Sequence, residues 1–291
     1  MQIPKKSVFN SNLRLIISLS IIVLGILFYW FYKSYLVNPS AIFNGMILNN
    51  LNTRSYVVTD YQQQLTGSLV QRTLVNSGAN NIVTSQETTN LTSSKAIIKT
   101  LSIGTPSTDY STYQKIDIGQ SSAIYDQIIG IWGVNSINGI NGQGGQLYKS
   151  TMLTPFLFAS PSESQTNLLA KFIKQNQVYA IQSSKLGMLN GRQVMNYEIK
   201  LNLSQYAKLL NLYLSTIGYR NQGQGISYSG NQTASLEISV DVLSRQLMAL
   251  SYLGSSSIQV YSGYGINSPI KLPQKAIPLQ NLKNLVSSLS K

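Results

Sequence analysis

Cysteine and histidine are absent from this chain of 291 residues, and acidic side chains are scarce, nine Asp plus Glu against 22 Lys plus Arg. Without cysteine there is no disulfide, no thiolate metal site and no acylated cysteine of the bacterial lipoprotein kind. Without histidine there is no Ser/His/Asp triad, no imidazole metal ligand and no ordinary near-neutral proton shuttle. Charged residues make up only 11% of the chain. Asn, Gln, Ser, Thr and Tyr supply most of the polarity instead, which is the texture of an exported β-rich surface.

One long apolar run stands against this background. Leu15 to Tyr32, LIISLSIIVLGILFYWFY, holds no charge, and a helix of that length rises ~27 Å, close to the hydrocarbon thickness of a bilayer. Tyr29, Trp30, Tyr32 and Tyr35 gather at its end, where aromatic rings favour the headgroup level. Lys5, Lys6 and Arg14 precede the run and Lys33 alone follows it closely, so the positive-inside rule keeps the N-terminus in the cytoplasm. A cleavable signal peptide shares the basic start. Its apolar region is shorter, however, and here bulky FYWFYKSYLV takes the place of a small-residue cleavage site. The expected organisation is a cytoplasmic tail over 1–12, a transmembrane signal anchor over 13–36, and an extracytoplasmic α+β domain over 37–291, giving a single-pass cell-membrane protein.

The exported part keeps eighteen basic against nine acidic residues. That balance admits an acidic surface polymer as partner, alongside the membrane itself. The basic residues are scattered with no run of three, so a solvated surface is the plainer reading and nucleic acid is not expected.

Pro39 to Leu51 has helical spacing. From Ser55 the chain turns to runs rich in Val, Ile, Thr and Tyr: SYVVTDYQQ, GSLVQRTLV, NNIVTSQETT, SKAIIKTLSIG and TDYSTYQKIDIG, each ending at a turn signal. Five such runs predict an antiparallel meander. Ala123 to Val134 reads as a short helix. The loop GVNSINGINGQGGQ carries Gly133, Gly139, Gly142, Gly144 and Gly145, but no GK[ST] ending follows, so a surface loop is expected rather than a phosphate cradle. TMLTPFLFASP brings Phe156, Leu157 and Phe158 together as a buried or cavity-lining element. Ser162 and Gln165 form a capping box ahead of a helix to Lys174. Asn190-Gly191 is a hairpin signal. Leu203 to Ile217 has one apolar helical face, with Asn202 as N-cap. Leu236, Ile238 and Val240 then alternate with polar residues in a half-buried strand. The proline-punctuated end predicts a helix with Leu279, Leu282, Leu285, Val286 and Leu289 inward.

This order of elements, with NGRQVMNYEIKLNLSQYAKLL, SVDVLSRQLMALSY and SPIKLPQKAIPLQNLKNLV as the segments most alike, resembles the extracytoplasmic lipid carriers of the LolA and LppX/LprG type. The resemblance implies a half β-barrel: a curved antiparallel sheet wrapped over several helices, with an apolar pocket for acyl chains. It brings no catalytic or ligand motif. An uncleaved anchor also departs from the pattern, because a shuttle must leave the membrane.

Two functions compete on these grounds. In the first, a membrane-anchored binding protein holds a lipid, a lipid-linked glycan or another apolar ligand between sheet and helices, with Ile97, Leu101, Trp132, Phe156, Phe158, Leu236, Ile238 and Val240 as candidate lining. In the second, a cell-surface interaction protein binds a partner protein or an acidic polymer without such a cavity. An enzyme is not expected. Glu198, Glu237 and Asp241 sit on strands that could be neighbours, but paired carboxylates need a shared cleft. No cofactor, metal or catalytic residue is assigned.

Absence of native cysteine makes the topology directly testable. In intact cells a membrane-impermeant maleimide should label the single-cysteine variant Ser255→Cys, and should reach Ser7→Cys only after permeabilisation. Labelling in the reverse order would overturn the assigned orientation.

Overall fold

The computed structural model describes residues 9–32, 37–64, 67–77, 82–92, 96–119, 122–136, 144–152, 154–158, 162–216, 226–228, 230, 232–266 and 269–289. Lys5, Lys6 and Lys33, which flank the apolar run, and most of the glycine-rich loop, including Gly139 and Gly142, lie outside them. Helix α1 spans Phe9–Phe31. Its side chains are described from residue 16 to residue 30, and the large apolar ones there are exposed. Among the described residues no helix is long and apolar enough to cross a membrane.

After α1 comes α2, Pro39–Asn52, which Asn38 caps by accepting from the Ala41 amide at 3.1 Å while Pro39 fills the first turn. A missing N–H costs nothing at that position. The meander follows as β1 (Ser55–Gln64), β2 (Gly67–Ser77), β3 (Ile82–Thr92), β4 (Ile97–Gly104) and β5 (Thr108–Asp117). All five expected strands form, each paired antiparallel with the next.

The segment expected as a helix over 123–134 is instead a 3-10 turn, Ser122–Ile128, that gives way to strand β6, Gly133–Ser136. Gly133 permits this. A Cβ there would lie 2.8 Å from Leu279 Cδ1, so the strand can lie close under the C-terminal helix only because the side chain is absent.

Helix α3, Gln146–Met152, emerges from the glycine-rich loop and was not anticipated. Beyond it lie α4 (Glu163–Gln175), the hairpin β7 (Tyr179–Leu189) and β8 (Arg192–Asn202), and α5 (Leu203–Thr216). Asn190 and Gly191 take φ of 50° and 76° at the hairpin tip, the left-handed pair that a tight two-residue turn requires. Ser162 caps α4, and Asn202 caps α5 by accepting from the Gln205 amide at 3.1 Å. Strands β9 (Thr233–Asp241), β10 (Leu247–Tyr252), β11 (Ser257–Ser262) and the stub β12 (Ile277–Pro278) precede α6, Leu279–Leu289. In α6, Leu282 is buried, whereas Leu285, expected inward, is 42% exposed.

Among the described residues the strands make one unclosed sheet in the order β12-β6-β5-β4-β3-β2-β1-β11-β10-β9-β8-β7. Every neighbouring pair is antiparallel except the short parallel contact of β12 with β6. The result is a mixed α+β fold in which a large curved sheet is packed with helices. The main core lies where α2, α4 and α5 meet β8, β9 and β10, and it includes Ile42, Met46, Leu169, Ile199, Leu210, Leu236 and Leu250. A second, small cluster of Ile116, Tyr125 and Ile128 sits at the far end under α6, with Val286 and Leu289 against it.

Strand β9 crosses the main core, with Leu236 fully buried and its neighbour Glu237 exposed. Leu236→Ala should therefore cost about 2–5 kcal/mol in denaturant unfolding, whereas Glu237→Ala should stay within about 0.5 kcal/mol. Equal effects would contradict this assignment of faces.

Candidate ligand site

Residues opposite each other on neighbouring strands share a face of the sheet. One unbroken cross-strand row therefore maps the inner wall, the face that carries the buried core residues. From β8 it runs Tyr197, Ile238, Leu250, Gln259, Asp60, Gln71, Thr88, Thr100 and Tyr113. A parallel row runs Tyr261, Val58, Thr73, Gln86, Ser102, Ser111 and Gly133. The wall is apolar through β8, β9 and β10 and turns polar from β11 to β4.

The polar half is knitted by short hydrogen bonds. Gln86 donates to Thr73 at 3.1 Å, Ser102 and Ser111 meet at 3.0 Å, and Gln62 and Ser257 both donate to Asp60, at 3.1 and 2.6 Å. Gln71, Gln86, Thr88, Thr100 and Ser102 are half-buried. Helix α3 closes one end of this half. Asp109 accepts from the amides of Gln146 and Leu147 at 2.7 and 3.2 Å. Burial pushes its carboxyl above the usual value, while those amides pull it back down.

At the border of the two halves lies an irregular segment, Thr154 to Phe158, with Pro155, Phe156, Leu157 and Phe158 buried. Phe158 stacks on Tyr56 at 4.2 Å and on Tyr261 at 5.6 Å, and Phe156 stacks on Tyr179 at 4.9 Å. A buried segment outside helix or sheet must still find partners for its carbonyls. Here side-chain hydroxyls serve. Tyr179 donates to Pro155 O at 2.7 Å, Tyr206 to Thr154 O, Tyr213 to Phe158 O, and Thr154 to Phe156 O at 2.6 Å.

Of the eight candidate lining residues, Phe156, Phe158, Leu236, Ile238 and Val240 come together in the main core, each no more than 3% exposed. Ile97 and Leu101 are half-buried on β4, but they alternate with Ile98, Thr100 and Ser102 and so face the opposite side of the sheet from the polar row. Half-buried Trp132 precedes β6, and its carbonyl accepts from the Ile277 amide at 2.8 Å. Sequence reasoning missed the polar wall and the tyrosine donors. The Ser, Thr and Gln alternation in β2 to β4 was there to be read, but alternation alone does not say which face is inward.

The acids resolve differently. Glu198 and Glu237 are directly opposite on the outer face, beside a depression of about 340 Å³ that Lys185, Asn196 and Ser239 also line. Ser183 donates to Glu198 at 3.3 Å. Asp241 is instead used structurally, accepting from the Leu243 and Ser244 amides at 3.0 and 2.7 Å in the turn after β9.

Among solved structures, the chain is similar to the lipoprotein LppX of Mycobacterium tuberculosis at 10% identity and a TM-score of 0.34, over 81% of this chain and 100% of that one. No family model matches the chain, and no curated protein matches it.

Burial raises the hydroxyls of Tyr56, Tyr179, Tyr197, Tyr206, Tyr213, Tyr261 and Tyr264 well above the ordinary value of 10.0. In the unfolded chain they ionise near that value. Their contribution to stability is thus intact below about pH 10 and is lost as the pH climbs beyond it. Phenolate absorbance should show this buried set ionising only together with loss of circular dichroism. Full titration near pH 10 with the fold intact would contradict their burial.

Proposed function

We propose that this chain is a membrane-tethered binding protein, without catalytic activity, that holds an amphiphilic, lipid-like ligand between its curved sheet and its helices on the outer side of the membrane. The observation that carries the reading is the inner wall itself, which passes within one cross-strand row from Ile238 and Leu250 to Gln71, Thr88 and Thr100. A wall that changes from apolar to polar along one row matches a molecule with an apolar portion and a polar one. The tether is the uncharged run from Leu15 to Tyr32, most of which falls in helix α1. Tyr32 at its end donates to Gln193 on β8 at 3.1 Å, joining the tether to the sheet.

The competing role, capture of an acidic polymer on a basic exterior, has less support. Basic residues on the strands sit beside acids or one another rather than forming a stripe, as with Arg72 opposite Glu87 and Lys115 at 3.1 Å from Asp117.

Photolabelling decides between the two. In the full chain reconstituted into liposomes with a trace of diazirine-bearing phospholipid, label is expected in peptides covering 67–104 and 154–158 as well as in the apolar run. Label confined to residues 15–32 would overturn the reading.

A further inference from the structure

The end of the sheet that meets the tether carries apolar side chains where turns ordinarily carry polar ones. Tyr32, the last residue of the uncharged run, donates to Gln193 at 3.1 Å, two residues beyond the Asn190-Gly191 tip. The Val37 amide donates to the Tyr32 carbonyl at 3.0 Å, so the domain begins within a hydrogen bond of the run. Three connections gather at this end. Met188 lies directly opposite Gln193 in the β7–β8 hairpin. The Val242 amide, in the β9–β10 turn, donates to the Gln193 carbonyl at 3.0 Å, and Tyr264, in the loop after β11, donates to the Leu247 carbonyl at 2.5 Å. Among the described residues outside α1, Leu243 in that turn and Met188 are the most exposed large apolar side chains, at 76% and 68%, and Ile266 in the loop after β11 is 44% exposed. The β9–β10 turn does not need its leucine. Asp241, which accepts from the Leu243 and Ser244 amides, and Arg245 at φ 54° shape it, and turn positions of this kind favour Asn, Ser, Gly or Asp.

We infer that this end of the sheet docks on the bilayer surface, with Leu243, Met188 and Ile266 entering the headgroup boundary and Arg192 meeting lipid phosphates. The inference rests on the tether proposed above and goes beyond it: the anchor keeps the domain near the membrane, and these side chains set which way it faces. Position argues for lipid rather than a partner protein. The residue that ends a spanning run sits at the interface, so Gln193 and the connections beside it sit there too. An aliphatic side chain exposed to water gains on entering that boundary, in proportion to the apolar area it buries. Charge agrees. Arg192, its side chain 58% exposed, lies 3.7 Å from Asp241, and Asp241 is itself buried and met by two turn amides. A long basic side chain can lay its apolar stem against the acyl boundary while its guanidinium reaches a phosphate, and the buried acid adds little repulsion. Docked in this way, β8, β9 and β10 stand end-on to the bilayer. Leu253, which follows β10 at its far end, is then held about 20 Å further out, the rise of a six-residue strand.

The test uses the full chain reconstituted into vesicles of phosphatidylcholine and phosphatidylglycerol, doped with a lipid that carries a nitroxide on its headgroup. Because the chain has no native cysteine, the single-cysteine variants Leu243→Cys, Met188→Cys and Leu253→Cys each take one environment-sensitive fluorophore. Quenching at positions 243 and 188 should exceed that at 253 by about threefold, since only the first two reach the headgroup boundary. Equal quenching at all three would overturn the inference. Proximity conferred by the tether alone is separated by a second reporter, on Ile266→Cys. Adding Leu243→Asp and Met188→Asp to that variant should lower its quenching by about twofold, because a carboxylate is excluded from the acyl boundary. Unchanged quenching would show that the anchor alone sets the approach, which also overturns the inference. Should the aspartate pair shift the melt, Leu243→Ser with Met188→Ser is read in its place, with a change of the same sign. A chain that floats with the vesicles but shows even quenching removes the docking surface and leaves the tether and the binding function standing. A chain that fails to float with them removes the tether and the docking surface together.

Discussion

The constraint on which the interior turns is that a buried carbonyl must be met by a donor. Thr154 to Phe158 runs through the core outside helix and sheet, and four of its carbonyls are met by hydroxyls, three of them tyrosine and one from Thr154 itself. Leaving one such group unmet costs on the order of 1–3 kcal/mol. The tyrosines must reach it from β7 and α5, so the packing of those elements is set by the segment as much as the reverse. The same tyrosines supply rings, and the stack of Tyr56, Phe158 and Tyr261 joins β1 to β11 across the point where the apolar wall ends. A chain without cysteine has no covalent means of fixing that junction. Aromatic packing and phenol hydrogen bonds do it instead.

Helix coverage follows the composition of the wall. Helices α2, α4 and α5 gather over β8, β9 and β10, where Leu236, Ile238 and Val240 face inward. Helix α3 lies over the row of Thr84 and Gly104 on the polar half, where a Cβ on Gly104 would lie 2.9 Å from the Tyr148 amide. Its first turn is held by the Asp109 carboxylate, the sign of charge that the positive end of a helix favours. The 3-10 turn and α6 take the opposite end, over Ile116 and Tyr113. Between these two covers lie Gln71, Thr88, Thr100 and Ser102, half-buried and polar. Amides and hydroxyls tolerate that intermediate exposure because water can complete their bonding, which an apolar wall could not use.

Much of this was legible beforehand, and the failures share a cause. Period-two runs ending at turn residues gave β1 to β5 in order. The Asn190-Gly191 tip, the Ser162 and Asn202 caps and the apolar face of α5 all follow from local chemistry, so residue spacing was enough to find them. What spacing does not carry is the identity of the inward face. Ile97 and Leu101 were grouped with the core because they are apolar, yet strand parity turns them away from Thr100 and Ser102, the residues that do face inward. Leu285 fits the helical stripe of α6 but lies beyond the reach of the narrow sheet edge that α6 covers. Helix α3 was hidden because its stability comes from Asp109, a residue 37 positions earlier, and tertiary capping leaves no local signature.

An unclosed sheet leaves two edges, and each is guarded in its own way. At one end the final strand is the two-residue stub β12, paired parallel to β6 and roofed by α6, so it offers too short a template for another strand. At the other end β7 is eleven residues long and exposed along most of its length. Its defences lie in its own sequence: a register shift between Ile181 and Ser183, and the charge of Lys185 midway along the strand. Gly187 lets the Asn196 side chain lie close over the strand, because a Cβ there would lie 2.5 Å from Asn196 Nδ2. The two devices differ because the neighbours differ. Strand β6 adjoins a helix that can shelter it, whereas β7 continues directly into the Asn190-Gly191 turn and β8, and among the described residues no element lies beyond it to serve as a cover.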